Sequence, residues 1–320
     1  MCRFLVYKGG PARIGEGLIR PENSLIKQSY HAREMSEPLN GDGFGLAWYT
    51  PGSDPTPCLF TSVAPAWSNR NLRRLAVRIA TPCYFAHVRA ATPGSTVNEQ
   101  NCHPFRYGRF SWMHNGRIAG FPRIMRAMRR SLRDDLYWHV RGTTDSELIF
   151  YRFLQNLTVA RESVRRELTA NPEQIRTYKR DCYDLLQDAE PPETDEELFV
   201  DRMVEHLGEF EPETLRDALL TTLRELSALT AEAGIEEASF YNLAVSDGRT
   251  VMITRFSDRA DAEPPSLYSS TGLRHGAADE PAIFVASEPL TELHDDWEEV
   301  PADHMLLIRP DWECELLPID

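Results

Sequence analysis

Cys2 is the first residue whose type and place could do chemistry. It becomes the N-terminal residue once Met1 is removed, which is expected when the second residue is small. A thiolate is a good nucleophile, but a free thiol with a pKa of about 8.5 is only a few per cent ionised at neutral pH. An N-terminal cysteine carries its own base, because a free α-amine titrates near about 7.7–8.0. Such an amine can take the thiol proton, directly or through one water, and return it to a leaving group. Taken alone, the position reads first as a small residue opening an edge strand.

Three further segments offer groups that would suit acyl transfer. In Phe85-Ala86-His87-Val88-Arg89-Ala90-Ala91-Thr92 a strand runs into a turn at Pro93-Gly94. Arg89 at its end presents a planar fork suited to a carboxylate, although a salt-bridged surface arginine is the simpler reading of this segment alone. In Trp112-Met113-His114-Asn115-Gly116-Arg117 the Asn-Gly pair is first of all a turn. The same pair supplies an amide side chain and an unobstructed backbone N–H, and two such donors make an oxyanion hole, worth roughly 3–4 kcal/mol per donor to a transition state. In Gly142-Thr143-Thr144-Asp145-Ser146-Glu147 the position of Asp145 at a helix N-terminus is adequately explained by the macrodipole. As a functional group it could pair with a substrate ammonium.

Short strands must carry most of these groups. Arg3–Tyr7, Phe44–Tyr49, Cys58–Val63, Tyr84–Val88 and Phe110–His114 are aromatic and β-branched runs bounded by turn residues, and the loop Pro51–Pro57 reads as a hairpin connection. From Pro122 the period becomes helical, through Ile124, Met125, Met128 and Leu132. Thr144-x-x-Glu147 is a capping box opening a helix through Leu148–Leu157. A second box at Thr194–Glu197 precedes Phe199, Met203 and Leu207, after a solvated loop at Asp188–Thr194. Leu215, Leu219, Leu223 and Leu226 mark another helix, which reads as core rather than interface. Strands return at Phe240–Val245 and Thr250–Phe256 around an Asp247-Gly248 turn, then at Ala282–Ser287 and His304–Arg309. Strands, then helices, then strands predict an α+β fold with two sheets and helical layers.

Composition bounds the function. The 320 residues carry 35 Lys+Arg against 49 Asp+Glu, a net charge of −14, which argues against a nucleic-acid groove and an anionic membrane surface. No apolar run approaches the ~20 residues that span a bilayer, and the first residues lack a signal-peptide core, so a cytoplasmic protein is expected. Six cysteines without a C-x-x-C pair suggest neither a disulfide framework nor structural zinc. His87, His103 and His114 fit no usual metal-ligand spacing and read as buried, hydrogen-bonding histidines, while Asp42 in its Gly-rich turn either lines a site or simply makes a hairpin.

The order of these motifs is informative. N-terminal Cys2, then H-x-R-x-A-T, Asn101-Cys102-His103-Pro104, H-N-G and T-D-S-E resembles the class II glutamine amidotransferases, which are N-terminal-nucleophile hydrolases. MCRFLVYKG, Asn40-Gly41-Asp42-Gly43-Phe44-Gly45, Pro65-Ala66-Trp67 and Ala286-Ser287-Glu288-Pro289-Leu290 are most similar to the amidotransferase-like subunit of the fungal glutathione-degradation complex, and more distantly to bacterial γ-glutamyl hydrolases of ergothioneine synthesis. The resemblance implies a four-layer αββα sandwich and one amidotransferase-type domain over 2–320. Its motifs would fall in 2–147, its helical segment at about 122–235 and its closing strands at about 240–317.

By the same resemblance Cys2 would be the nucleophile with its α-amine as base, and Asn115 and Gly116 the oxyanion hole. Arg89 and Asp145 would hold the α-carboxylate and α-ammonium of a γ-glutamyl group, with Thr92 beside them; Pro93 replaces the histidine usual in the amino-sugar and purine branches. No cofactor or metal is implied. The implied activity is γ-glutamyl hydrolysis of glutathione or a related compound through a thioester, and the implied partner is a peptidase-like subunit. The alternative is a glutaminase subunit supplying ammonia to a separate synthase. The C-terminal half carries neither a sugar-isomerase nor a phosphoribosyltransferase pattern, which favours hydrolysis. A non-catalytic scaffold is a third reading, weakened by the presence of every expected catalytic residue type. Arg117, Arg123, Arg126, Arg129, Arg130 and Arg133 form a basic run, read as a solvated helix face or as a patch for an anionic substrate or acidic partner.

Overall fold

The structure, a computed structural model, describes residues 2–34, 39–52, 55–91, 96–157, 210–270, 274–275, 280–292 and 296–319. Two antiparallel sheets form its centre. The first holds β1 (Arg3–Arg13), β2 (Phe44–Trp48), β3 (Cys58–Ser62), β4 (Ala80–Val88), β9 (Tyr268–Ser270), β10 (Arg274–His275), β11 (Glu280–Ala286) and β12 (Trp297–Glu299). Their spatial order is β12-β9-β11-β1-β4-β2-β3, with β10 beside β11. The second sheet holds β5 (Phe105–Tyr107), β6 (Phe110–Arg117), β7 (Phe240–Ser246), β8 (Val251–Arg255), β13 (His304–Ile308) and β14 (Cys314–Pro318), in the order β14-β13-β8-β7-β6-β5.

Three separate apolar clusters show how the layers stack. Alternate residues of a strand point to opposite faces, and β1 divides accordingly. Phe4 and Val6 join Phe85, Met113, Ala244, Ile253 and Ile308 between the sheets. Leu5 and Tyr7 face outward with Leu46 and Ala86, against Leu18, Leu25 and Leu72. Those last three belong to α1 (Gly15–Leu18), α2 (Leu25–Gln28) and α3 (Arg70–Ala76). The outer face of the second sheet, with Trp112, Leu243 and Met305, packs on Ile124, Ile149, Phe153, Leu219 and Leu223. These come from α4 (Phe121–Arg130), α6 (Asp145–Asn156) and α7 (Pro212–Glu232), with α5 (Asp134–Tyr137) between the first two. The four layers are helix, sheet, sheet, helix.

Local chemistry explains the elements that matter for the site. In α6 the Thr144 hydroxyl accepts the N–H of Glu147 at 3.4 Å, as the capping box predicts. The reciprocal half is absent: the Glu147 carboxylate instead accepts the N–H groups of Arg141 and Gly142, at 3.0 and 2.7 Å, and so fixes the turn before the helix. Pro212 lies in the first turn of α7, whose predicted leucine face, Leu215, Leu219, Leu223 and Leu226, is buried. β1 runs well beyond the predicted Tyr7. Gly9 and Gly10 allow this, because a Cβ at either would stand about 2 Å from Pro281 O or Glu280 Oε2 of β11.

The arginine run around α4 is solvated in part and tied into the fold in part. Arg126 and Arg130 are exposed, whereas Arg129 donates to Gly142 O at 3.2 Å, Arg123 to Ala233 O, and Arg133 pairs with Asp135 at 2.9 Å. The predicted loop at Asp188–Thr194 and the helix with Phe199, Met203 and Leu207 lie outside the described residues. No described helix is long and apolar enough to cross a membrane.

Candidate active site

The first sheet brings Cys2 to the end of β4. Pairing of β1 with β4 begins at Arg3–Val88 and Phe4–His87. One step beyond, the same register sets Cys2 opposite Arg89, and Cys2 Sγ donates to Ala90 O at 3.6 Å. Cys2 lies two residues before the inward-facing Phe4, so strand alternation turns it toward the space between the sheets. Burial pushes its thiol above the ordinary cysteine value, against the pull of the Arg89 and Arg3 guanidiniums. At neutral pH the resting sulfur is therefore a protonated thiol, and a base would be needed to turn it into a thiolate.

Arg89 is held by the turn that the sequence left ambiguous. Its N–H donates to Gly43 O at 2.9 Å, Asp42 N–H donates to Arg89 O at 3.0 Å, and Asp42 Oδ2 accepts the N–H of Ala91 at 2.8 Å. Asp42 thus clamps the backbone around Arg89. Gly43 has φ +115, and a Cβ there would lie 2.7 Å from Cys102 Sγ, so both conformation and space require glycine. The Arg89 guanidinium donates through both Nη atoms to Thr96 O at 3.3 Å. Thr92, predicted beside it, lies outside the described residues.

The second sheet supplies Asn115 and Gly116, which lie within β6 rather than in the turn that Asn-Gly suggested. Asn115 follows the inward-facing Met113 by two residues, so it too faces the inter-sheet space, directly opposite Asn242 of β7. Asn115 is 0% exposed, yet neither its Oδ1 nor its Nδ2 has a hydrogen-bond partner among the described residues. A buried amide with nothing to bind is costly unless something else occupies it. At Gly116 a Cβ would lie 2.0 Å from Phe240 O and 2.5 Å from His114 Nε2, so no side chain fits.

Asp145 comes from the helical layer, at the other side of β6. Its Oδ2 accepts the Ile118 N–H at 2.7 Å and its Oδ1 the Ser146 N–H at 2.8 Å. Oδ1 also lies 3.3 Å from the Ser146 hydroxyl, so the open second acceptor position is on Oδ2. Asn101, quoted above only as part of a motif, joins the two sides. Its Nδ2 donates to Thr96 O at 3.0 Å, the carbonyl that Arg89 also binds, and its Oδ1 accepts the N–H of Thr143 at 3.0 Å. One buried amide therefore sets the loop of Arg89 against the turn that leads into Asp145.

The three histidines divide in two. His114 is buried and doubly bonded, as expected: Nε2 donates to Phe240 O at 2.9 Å, which leaves Nδ1 to accept from the Ser146 hydroxyl at 2.9 Å. Burial lowers its pKa, partly offset by Asp145, so the ring is neutral. His87 and His103 are buried but stack on each other, with centroids 4.3 Å apart, and their ring nitrogens make no hydrogen bond among the described residues. Here the expected hydrogen bonds are replaced by ring packing. Burial takes the pKa of His87 down to about 3 and that of His103 well below its ordinary value. Among the described residues no group of three or more His, Cys, Asp or Glu is placed to hold a metal ion.

Sequence reasoning gave no role to Asn101, to Asn242, or to the buried Arg3–Glu288 ion pair at 2.9 Å. The signal for two of them was present, since Asn101 and Glu288 both fall inside quoted motifs.

The family of class II glutamine amidotransferases matches residues 22–185. The Saccharomyces cerevisiae protein named "Probable glutamine amidotransferase DUG3" is 35% identical over 332 residues, covering 97% of this chain and 82% of that protein. The γ-glutamyl-hercynylcysteine sulfoxide hydrolase of Mycobacterium tuberculosis is 30% identical over 117 residues, 36% of this chain and 49% of the hydrolase. In fold, a glutamine aminotransferase class-II domain protein from Silicibacter pomeroyi superimposes with a TM-score of 0.60 over 100% of both chains, at 24% identity. The chain belongs to the class II glutamine amidotransferases and is an amidohydrolase of the N-terminal-nucleophile type.

Proposed function

We propose that this enzyme hydrolyses the γ-glutamyl amide bond of glutathione or a closely related γ-glutamyl compound, with Cys2 as nucleophile. The observation that carries the reading is the partnerless, fully buried Asn115 amide on the same inter-sheet side as Cys2. It is the group a developing oxyanion would satisfy.

In this mechanism Met1 has been removed, and the free α-amine of Cys2 takes the thiol proton. Sγ attacks the γ-carbonyl carbon, and the oxyanion is held by Asn115 Nδ2 and the Gly116 N–H. Collapse breaks the C–N bond, and the amine leaves with the proton returned by the α-amine. Water then attacks the γ-glutamyl thioester, releasing glutamate and restoring the thiol. Arg89 would hold the α-carboxylate of the γ-glutamyl group and Asp145, through the second acceptor position of Oδ2, the α-ammonium. Two opposite charges held apart by one protein framework suit an amino-acid zwitterion.

With glutathione the leaving amine is a dipeptide, so a peptidase-like partner subunit would complete the degradation. The named activity of the mycobacterial relative favours a γ-glutamyl compound over free glutamine. The second reading, ammonia supply to a synthase, is tested in the same assay. Glutamate release is measured from glutathione and from glutamine, side by side, with Cys2→Ala as the blank. Release chiefly from glutathione and dependent on Cys2 is expected; release chiefly from glutamine would make the enzyme an ammonia donor, and equal release by Cys2→Ala would refute the nucleophile.

A further inference from the structure

A nucleophile at a chain terminus has an inherent weakness, because terminal residues fray unless something ties them down. The strand ladder does not do this for Cys2, since its pairing starts at Arg3–Val88. On the other edge of β1 the register Leu5–Ala286 runs on to set Phe4 opposite Ser287 and Arg3 opposite Glu288. Phe4 N–H donates to Ser287 Oγ at 3.0 Å, and Ser287 N–H to Phe4 O at 3.1 Å. Arg3 and Glu288 then form an ion pair, Nε to Oε1 at 2.9 Å, with both side chains only 1% exposed.

The guanidinium uses its remaining nitrogens on two backbones. Arg3 Nη1 donates to Cys2 O at 3.2 Å, and Nη2 donates to Glu34 O at 3.0 Å. Glu288 in turn accepts the N–H of Arg33 at 3.0 Å, the N–H of Glu34 at 3.1 Å and Asn23 Nδ2 at 3.3 Å. Burial alone would raise the Glu288 carboxyl, but these N–H groups and Arg3 outweigh it and hold it ionised. A buried ion pair is a poor source of net stability compared with an apolar pair of similar volume. Its value here is directional: it aims one guanidinium at the Cys2 carbonyl.

We propose that Glu288, acting through Arg3, is a positioning residue for the nucleophile, an inference that rests on Cys2 being that nucleophile. The Arg3–Cys2 hydrogen bond fixes the peptide plane that carries the Cys2 Cα, and so the point from which Sγ and the α-amine project. Attack needs reacting atoms about 3–3.5 Å apart and aligned, and a 1 Å displacement can cost about 100-fold in rate.

The test compares wild type, Glu288→Gln and Arg3→Lys in the full-length enzyme with Met1 removed. Glu288→Gln keeps the shape but loses the charge that orients Arg3. Arg3→Lys keeps a cation for Glu288 but lacks the fork that reaches Cys2 O and Glu34 O together. Active molecules are counted by substrate-protected labelling of Cys2 with iodoacetamide, so that kcat is expressed per folded site. We expect kcat per site to fall about 10- to 100-fold in both variants, with KM for the hydrolysed substrate within about 3-fold of wild type. A lower melting temperature and fewer active molecules with unchanged kcat per site would overturn the proposal and leave the pair a purely structural one. Should Glu288→Gln fail to fold, the milder Arg3→Lys decides alone. Undiminished activity in Cys2→Ala would instead refute the nucleophile assignment, a separate failure from that of the anchor.

Discussion

Asp145 accepts the backbone N–H of Ile118 at 2.7 Å while its other oxygen accepts that of Ser146 at 2.8 Å. The carboxylate proposed to hold the substrate ammonium is thereby also the clasp between the end of β6 and the start of α6. Asp145→Ala should therefore do two things at once. Two N–H groups lose their acceptor, at a cost of about 1–3 kcal/mol. An ammonium contact of about 1.5–3 kcal/mol disappears as well, raising KM about 10- to 150-fold. Urea denaturation and steady-state kinetics separate the effects; a stability loss with unchanged KM would leave only the clasp.

Asn101 tests whether the spacing of the two proposed clamps matters. Asn101→Asp preserves the acceptor for Thr143 N–H but replaces the donor to Thr96 O with a second oxygen. The repulsion should disturb the Thr96 side, where Arg89 also donates to the same carbonyl, whereas the Thr143 hydroxyl, which accepts from Nδ2 at 3.2 Å, can turn and donate instead. A rise in KM of about 10-fold or more with a smaller change in kcat is the expected result, taking about 1.4 kcal/mol per decade. Wild-type KM in a folded variant would show that the bridge does not set the span.

The buried histidines give the protein a sensitivity to acid. In the folded state His87 titrates at about 3 instead of about 6.5, because burial disfavours its cation. The unfolded chain therefore binds more protons than the folded one below about pH 6.5, and stability falls as pH falls, by up to about 1.4 kcal/mol per pH unit for each such histidine. His103 and His114 shift in the same direction. Urea midpoints at pH 7 and pH 5, above most carboxylate titration, should show the loss, and His87→Gln should lessen it. An equal drop in the variant would assign the acid sensitivity elsewhere.

Legibility in the sequence followed the range of the interaction. The strands that lead to Arg89 and Asn115 and the helix opened by Thr144 rest on local patterns and are present, although β4 starts at Ala80 rather than Tyr84 and β6 runs on to Arg117 rather than ending at His114. The layered α+β architecture followed from the strand–helix–strand order. Three-residue strands such as Phe105–Tyr107, and helices of a single turn such as Leu25–Gln28, are too short to show a period, and they form because neighbours already hold them. Asn-Gly read as a turn, yet β7 pairs with it through Asn242 and Tyr241, a partnership across more than a hundred residues. The hidden links, Asn101 to Thr143 and Arg3 to Glu288, join residues 42 and 285 positions apart, where no spacing rule reaches.

Asn115 offers the sharpest separation of function from stability. Most buried amides are tied into the fold, and removing one leaves its partners unsatisfied. Asn115 has no such partner among the described residues, so Asn115→Ala strands nothing that is buried there. If its amide serves the oxyanion, kcat should fall about 100- to 1,000-fold, while the denaturation midpoint stays put or rises. Asn115→Asp should be equally inactive, since a carboxylate presents no donor to a developing negative charge. A folded Asn115→Ala enzyme with near-normal kcat would remove the oxyanion role. A loss of several kcal/mol would show instead that the amide is a structural member of the sheet pair.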